Sequence, residues 1–256
     1  MILMLKFLKD EPALFIEEER ILVISDLHLG FEYELYKKGI NVPSQTKRIM
    51  KKINSLIRKT RAEKLVILGD IKHDVPGVSY QEMREVPEFF KELVSKVEVE
   101  VCLGNHDTFL EKLCPDEVKI HDSRGFVIKK YGFNHGHAWP FKKLMKCDYI
   151  VMGHTHPTIQ FIDKFGYRVI EQVWLKGRLD KEKVKEKYKI EKTGLLSVII
   201  MPAFNRLLGG TPLNVKRTND ELLGPLLKNN FINIKDVELY LLDGTYLGKL
   251  KNLIER

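Results

Sequence analysis

Short apolar runs recur along this chain, and several of them end at a glycine or a small polar residue followed by histidine or a carboxylate. Runs of three to seven mainly apolar residues between turn-forming residues are typical of buried strands. The runs that we interpret as strands are 13–16, 20–24, 65–68, 97–103, 118–120, 126–128, 149–152 and 195–201.

Two longer segments show the three- and four-residue spacing of an amphipathic helix. The first begins at Ser44, a residue type suited to cap a helix, and extends to about Arg61. The second extends from Tyr80 to Lys96 and is expected to be weakened or kinked at Pro87. Strands alternating with helices predict an α/β fold with functional side chains at the carboxyl ends of the strands.

The rest of the chain is expected to consist of hairpins and short solvated elements. A short helix is predicted to end near 113–115, and 180–192 reads as a solvated helix or loop. Hairpins are predicted over 158–174, with a turn at 163–166, and across Asp243-Gly244, between 237–242 and 246–250. Because no repeat, low-complexity tract or flexible linker interrupts the sequence, we interpret 1–256 as one domain with a motif-bearing core at about 20–160.

Composition narrows the cellular setting of the protein. Its 256 residues are 44% hydrophobic, which suffices for a sizeable core, yet no apolar stretch approaches the ~20 residues that cross a bilayer. The N-terminus lacks the basic start and the cleavage site of a signal peptide. Three cysteines without Cys-x-x-Cys spacing suit buried or loop thiols better than a disulfide frame or zinc site. We therefore expect a cytoplasmic protein without membrane partners.

The charge balance points to anionic partners only in a general way. The formal net charge is +8, which favours phosphorylated substrates or nucleic acid. No compact block of lysine and arginine marks a DNA-binding patch. Lysine and glutamate are abundant and interspersed, a balance typical of a thermophile surface with many ion pairs.

Five clusters of chemically active residues follow the apolar runs. They are Asp26-x-His28, Gly69-Asp70, Gly104-Asn105-His106-Asp107, His135-Gly136-His137 and Gly153-His154-x-His156. Two side chains separated by one residue can point the same way from an extended backbone, so these pairs could share one metal ion. Taken singly, each cluster could be a turn with a capping carboxylate and an incidental histidine.

Individual roles can be suggested from side-chain chemistry. Asp70 is a candidate to bridge two metal ions. Asn105, His106 and Asp107 offer in order a weak metal ligand, a proton donor and an orienting group. His73 could approach a substrate phosphate or be a surface histidine, and Asn205, after a strand, suits a turn better than substrate contact.

In order and chemistry, the five clusters resemble the motifs of the calcineurin-like metallophosphoesterase superfamily, over at least 21–157. The form of Ser25-Asp26-Leu27-His28-Leu29-Gly30, and of Gly-Asp followed by Lys-His, looks closest to the archaeal SbcD-related and the bacterial DNA-ligase-associated phosphoesterases. The resemblance implies a four-layer αββα sandwich with two metal ions at the strand ends.

Carried over to this sequence, the resemblance implies a role for each cluster. The first metal would be held by Asp26, His28 and His156, the second by Asn105, His135 and His154, and Asp70 would bridge them. His106 would be the general acid, positioned by Asp107, while His137 has no metal role in the pattern and is kept with His73 and Asn205 as a candidate substrate contact. Mixed nitrogen and oxygen ligands suit Mn, Fe, Zn or Ni, and the resemblance favours Mn.

These expectations lead to three functional hypotheses. The first is a two-metal phosphodiesterase, active also on monoesters, whose substrates are nucleotides or related small esters. The second is a DNA or RNA nuclease in repair, which needs an extended strand-binding groove. The third is a non-catalytic binding module on the same fold, against which the full set of ligand positions argues. The oligomeric state is not predicted.

Overall fold

The computed structural model of the chain describes residues 5–215 and 224–254, so part of the N-terminal apolar segment lies outside the described residues. Its strands are β1 (Leu5–Phe7), β2 (Leu14–Ile16), β3 (Ile21–Ile24), β4 (Lys64–Leu68), β5 (Glu98–Cys102), β6 (Lys119–His121), β7 (Phe126–Ile128), β8 (Tyr131–Asn134), β9 (Tyr149–Met152), β10 (Pro157–Ile162), β11 (Arg168–Arg178), β12 (Ser197–Ile200), β13 (Thr211–Pro212), β14 (Glu238–Leu241) and β15 (Tyr246–Lys249). The α-helices are α1 (Phe31–Lys37), α2 (Thr46–Thr60), α3 (Tyr80–Val94), α4 (Lys181–Tyr188) and α5 (Pro225–Lys228).

The strands form two sheets. The first has the order β1-β2-β3-β4-β5-β6, and its pairs from β3 to β6 are parallel. The second follows β13-β10-β11-β12-β9-β8-β7, with β14 beside β11 and β15 beside β14. Within it, β8, β9 and β12 are parallel neighbours. Each sheet therefore has a central parallel portion whose carboxyl ends share one edge.

Alternating residues of the central strands enter different cores. In β3, Val23 faces the core between the two sheets, which also contains Trp174, whereas Leu22 faces the core under α2 and α3. In β9, Val151 faces the inter-sheet core, whereas Ile150 packs on the outer side with residues of α4 and α5. Side chains of a strand alternate between its faces, so apolar runs buried on both faces require layers on both. The order is helix, sheet, sheet, helix, which confirms the predicted α/β sandwich.

Several predicted elements differ from the observed ones in their bounds. The first long helix begins at Thr46 and not at Ser44, whose hydroxyl accepts from the Thr46 amide at 3.3 Å and donates to Glu85 at 2.7 Å. The helix predicted before Pro115 is only a 3-10 turn at Leu110–Lys112. Both hairpins are confirmed by the pairing of β10 with β11 and of β14 with β15.

The second long helix, α3, runs through Pro87 and starts with a capping box. The Ser79 hydroxyl accepts from the Glu82 amide, and the Glu82 carboxylate accepts from the Ser79 amide. Among the described residues, no helix combines the length and the apolar character that a bilayer crossing requires.

Candidate metal centre

The predicted ligands gather where the parallel strands of the two sheets end. Asp26 and His28 follow β3, Asp70 follows β4, and Asn105 follows β5. From the second sheet, His135 follows β8, and His154 and His156 follow β9. Parallel strands end at the same edge of a sheet, and the face-to-face packing of the two sheets brings these edges together. Residues 130 positions apart in sequence thus reach one site.

Three groups of possible donors lie at this site; one is His28, His73 and His106, and the other two match the predicted ligands and are called the two donor groups below. Ligand atoms of Asp26, His28 and His156 all lie within 4.8 Å of one another, as do those of Asp70, His135 and His154.

The Asp70 carboxylate lies between the two groups. Its Oδ2 is 3.4 Å from Nε2 of His28 in one group and 3.3 Å from Nε2 of His135 in the other. In the first group, Oδ1 of Asp26 is 3.1 Å from Nε2 of His156. Ligands about 2.1 Å from one octahedral ion lie about 3 Å apart when adjacent. The spacing of these atoms therefore fits two neighbouring ions with Asp70 between them.

Three imidazole nitrogens at this centre are buried without a hydrogen bond. They are Nε2 of His28, His135 and His156. Buried polar atoms are nearly always satisfied, so an orphaned group at a site calls for an explanation. Imidazole nitrogen combined with carboxylate oxygen is a donor set that first-row divalent metals accept. The residues present therefore fit the predicted metal ions.

In the neutral forms of His135 and His28, hydrogen bonds on the far side of each ring determine which nitrogen keeps its lone pair. Nδ1 of His135 lies 2.7 Å from the Leu68 carbonyl, which can only accept, so Nε2 of the neutral ring keeps its lone pair. His28 is oriented through two successive hydrogen bonds, which form a relay from Glu34 through His73 to His28. Nδ1 of His28 lies 3.1 Å from Nδ1 of His73, and Nε2 of His73 lies 2.5 Å from a carboxylate oxygen of Glu34. When His73 donates to Glu34, it accepts from His28, and Nε2 of His28 faces Asp70 with its lone pair.

The backbone at the ligands is held in an unusual conformation. Five candidate ligands have positive φ angles between 41° and 68°, namely Asp26, His28, Asp70, His154 and His156. Side-chain-bearing residues rarely adopt this region, and such strain clusters at functional sites. A Cβ built at Gly104 would lie 2.2 Å from Oδ1 of Asp70. Only glycine leaves room for the bridging carboxylate there.

The local charges favour an ionised Asp70 and a neutral His154, but a charged His135. Burial would raise the pKa of Asp70, but the imidazoles of His135 and His28 hold it well below its usual range. Burial, and then the charge of His135, lower the pKa of His154 to about 3, which keeps that ring neutral. Burial also opposes a charge on His135, yet Asp70 and Asp26 outweigh it and raise the pKa of His135 to about 9. A cation bound here would therefore meet an ionised Asp70 and would have to displace a proton from His135.

The part of the chain that matches a known family includes all the residues of this centre. Residues 19–180 match the calcineurin-like phosphoesterase family. The chain is a calcineurin-like phosphoesterase. Members of this family hydrolyse phosphate esters and typically use a pair of metal ions, which is the chemistry that the two donor groups suit. The finer resemblance to SbcD-related or ligase-associated enzymes stays a prediction.

Solved structures share the fold of this phosphoesterase. The Pseudomonas putida nuclease MPE is 18% identical, with a TM-score of 0.56, and the match covers 93% of this chain and 90% of that one. Yfce, a phosphoesterase from E. coli, is 16% identical with a TM-score of 0.41, over 92% of this chain and 99% of that one. A search of curated proteins finds no match.

The predicted acid, His106, lies beside the first donor group of the phosphoesterase. Its ring centroid is 4.6 Å from that of His28, and its Nδ1 lies 2.6 Å from the His73 carbonyl. Because a carbonyl accepts only, Nδ1 carries the hydrogen, and Nε2 is the nitrogen left to exchange a proton. The amide of His106 donates to Oδ1 of Asp70 at 2.9 Å. This hydrogen bond holds the predicted acid next to the candidate bridging carboxylate.

Asp107, predicted to position His106, contacts backbone amides. Its carboxylate accepts from the amides of Gly104 at 2.7 Å and Ile71 at 2.8 Å, which ties the loop after β5 to the loop after β4. Burial, and then the negative charge of Asp70, raise the pKa of Asp107 to about 6. Asp107 thus positions the segment that carries His106, and the ring itself is held by the His73 carbonyl.

The three candidate substrate contacts occupy different places. His73 joins Glu34 to His28, as described above. His137 is half-buried, its ring 5.1 Å from that of His135, and burial followed by the charge of His135 lowers its pKa to about 4. The amide of Asn205 donates to the Leu27 carbonyl at 2.9 Å, and its side-chain oxygen accepts from the Leu207 amide at 3.0 Å. Asn205 therefore supports the loop between Asp26 and His28, and its substrate role stays a prediction.

Two glutamates that support the centre were missed by sequence reasoning. Glu34 in α1 binds His73, and the buried Glu82 accepts from the amides of His73 and Asp74 at 2.7 Å. The capping pattern of Ser79 and Glu82 was visible in the sequence. Nothing in the sequence near Glu34 indicated a partner 39 residues away.

Proposed function

We propose that this protein is a phosphodiesterase dependent on two divalent metal ions, with manganese as the best-suited ion, and that it also accepts monoesters. Its substrates are nucleotides or related small phosphate esters. The observation that carries the proposal is the carboxylate of Asp70 within 3.4 Å of ring nitrogens from both donor groups. Family membership supports the reaction class.

Each ion has its own set of side chains. Asp26, His28 and His156 would hold the first ion. His135 and His154 would hold the second, together with Asn105, an exposed side chain on the loop after β5. Asp70 would be shared by the two ions. When bound, two such ions neutralise a phosphate, align it and lower the pKa of a water that attacks phosphorus.

His106 supplies the proton that the leaving oxygen needs. With its Nδ1 hydrogen held by the His73 carbonyl, the ring in its imidazolium form donates from Nε2 and returns to the neutral form. Transfer to the leaving oxygen stabilises the charge that builds there as the ester bond breaks. The bond from the His106 amide to Asp70 keeps the donor beside the bridging carboxylate during this step.

A nuclease acting in DNA or RNA repair is the second candidate. The similarly folded Pseudomonas putida protein is named a nuclease, and the net charge of +8 suits a polyanionic substrate. The two candidates share the chemistry and differ in substrate length.

The deciding experiment measures hydrolysis of bis-p-nitrophenyl phosphate by metal-stripped protein, with and without added Mn. The monoester and single-stranded DNA are assayed in parallel. His106→Ala is expected to bind both ions yet lose about 10²–10⁴-fold in turnover. His121→Ala, a half-buried histidine remote from the centre, is the matched control and is expected to retain the parent rate.

The outcomes separate the three hypotheses. Metal-dependent diester turnover that spares DNA supports the small-substrate enzyme. DNA cleavage that disappears in the His106→Ala protein supports the nuclease. Two bound ions without cleavage of any substrate would return the chain to a non-catalytic binding module.

A further inference from the structure

A recess of about 230 Å³ opens beside the metal centre on the side of His106. Its inner wall is formed by His73 and His106, whose rings are nearly parallel with centroids 5.5 Å apart. Its outer wall is formed by Tyr33 and Lys37 of α1 and by Val75. The recess therefore adjoins the predicted proton donor, His106.

The position of the recess determines which part of a substrate it receives. In an in-line displacement the attacking and leaving oxygens lie on opposite sides of phosphorus. The proposed function makes His106 the donor to the leaving oxygen, so the group attached to that oxygen extends past His106. The recess is the space available to it there.

The walls of the recess suit a flat unsaturated ring. Tyr33 lines the recess and is 41% exposed, and Nζ of Lys37 lies over its ring, 4.4 Å from the centroid. Val75, which is 49% exposed, adds apolar surface on the same wall. Aromatic rings with a neighbouring cation are the platform on which nucleobases stack.

The acidic and basic residues that line the recess, apart from its two histidines, are Glu34, Asp74 and Lys37. The carboxylate of Glu34 is engaged by His73 at 2.5 Å and by Lys38. These partners, Lys38 first, lower the pKa of Glu34 to about 2, so the group stays an ion-paired anion. Lys37 remains on the outer wall, where it can attract a phosphate carried by the entering group.

The geometry points to a leaving-group subsite that binds a nucleoside, with its base stacked on Tyr33. A volume of about 230 Å³ is below the ~300–1,000 Å³ of pockets for drug-sized ligands and suits one such unit. This inference rests on the proposed function, and it selects nucleotide esters from the wider class of small phosphate esters.

The test compares Tyr33→Ala with Tyr36→Ala in the Mn-loaded protein. Tyr36 belongs to the same helix, is 65% exposed and does not line the recess, so it is the matched control. Calorimetric titration with adenosine is expected to show binding by the parent and by Tyr36→Ala, weakened about tenfold or more in Tyr33→Ala. Ribose is not expected to bind.

Kinetics on bis-p-nitrophenyl phosphate provide the second readout. Stacking acts equally in the ground and transition states, so Tyr33→Ala is expected to raise KM about tenfold while kcat stays within twofold. Adenosine is expected to inhibit the parent competitively. Product lengths from a labelled single-stranded oligonucleotide, compared with hydrolysis of a dinucleotide, distinguish a strand end from a free nucleotide as the source of the nucleoside.

The inference and the proposed function fail in different ways. If Tyr33→Ala binds adenosine and turns over the diester as Tyr36→Ala does, the recess is not a nucleoside subsite, although the phosphodiesterase stands. If the parent cleaves no ester, the proposed function fails, and the calorimetric titration alone still decides whether the recess binds a nucleoside.

Discussion

Two buried regions of this protein combine histidine with carboxylate, and they differ in how completely the charges are paired. Around Glu100, which is 1% exposed, His121 Nε2 lies 2.6 Å from one carboxylate oxygen and Lys119 lies 3.4 Å from the same oxygen. Lys64 pairs with the other oxygen. At Asp70, by contrast, two ring nitrogens lie within 3.4 Å of the carboxylate and make no hydrogen bond.

The difference separates a structural ion pair, in which cations of the chain neutralise the carboxylate, from a candidate metal site, in which this pairing is less complete. The carboxylate of Glu100 is neutralised by cations of the chain itself, so burial of the group is compensated within the fold. The Asp70 carboxylate faces His135, whose pKa Asp70 and Asp26 raise against the effect of burial, and His28, whose pKa burial lowers. A divalent cation would complete this second arrangement, whereas the first is already complete.

The largest effect is expected from neutralising the candidate bridge. Asp70→Asn keeps the shape of the side chain and an oxygen for the His106 amide, but removes the charge that two cations share. We expect at least about 100-fold weaker binding of metal and a comparable loss of turnover, checked by metal analysis after dialysis and by diester hydrolysis. Glu100→Gln is the control and should bind the same metal; unchanged metal content in Asp70→Asn would remove Asp70 from the bridging role.

A moderate loss of folding stability is expected when low pH protonates Glu100. Burial opposes ionisation there, but His121 and Lys64 outweigh it and lower the pKa of Glu100 from 4.5 to about 2. A carboxyl with a depressed folded-state pKa stabilises the fold fully above its unfolded pKa, and this contribution is lost as pH falls from about 4.5 through about 2.

The acid effect is measured by denaturant unfolding between pH 6 and pH 2. The parent is expected to lose up to about 3 kcal/mol of unfolding free energy more than Glu100→Gln does across this window. Glu98→Gln, which removes a more exposed partner of the same Lys64, is expected to follow the parent. Parallel curves for the parent and Glu100→Gln would show that this cluster is not the acid-sensitive ion pair.

The smallest effect is expected from the far end of the histidine relay. Glu34→Gln keeps a hydrogen-bond acceptor for His73 but removes the charge that favours the ring orientation passed on to His28. We expect about tenfold weaker affinity for the first metal in a calorimetric titration. Lys38→Met removes the other partner of Glu34 and should change the affinity by less than twofold; equal effects from both substitutions would contradict the relay.

The sequence was most informative where structure is local. Apolar runs such as 65–68 predicted buried strands, and the position of the polar clusters after them predicted that they would converge. The pattern could not show that Glu100, in a strand alternating valine with glutamate, is buried, because that depends on its pairing with residues of β4 and β6. Helix α1 was missed as well, since its segment has no clear three- and four-residue apolar spacing.

Supporting contacts were the least predictable part of the centre. Asp107 was expected to position His106, but nothing in the sequence indicated that its carboxylate accepts from the amide of Ile71, 36 residues earlier. The start of α2 was misplaced because Ser44 bonds to Glu85 of another helix. A hydrogen bond between distant segments depends on how the layers pack, and a single sequence carries no direct record of that packing.

The division of the ligands between the two sheets has a mechanical consequence. Asp26, His28 and Asp70 belong to the first sheet, whereas His135, His154 and His156 belong to the second. A bound ion is therefore a reversible cross-link between segments as far apart as residues 26 and 156. If these residues hold the ions, pulling the sandwich open would have to break that cross-link before the apolar layer between the sheets separates, and the force that the molecule withstands would depend on the metal concentration around it.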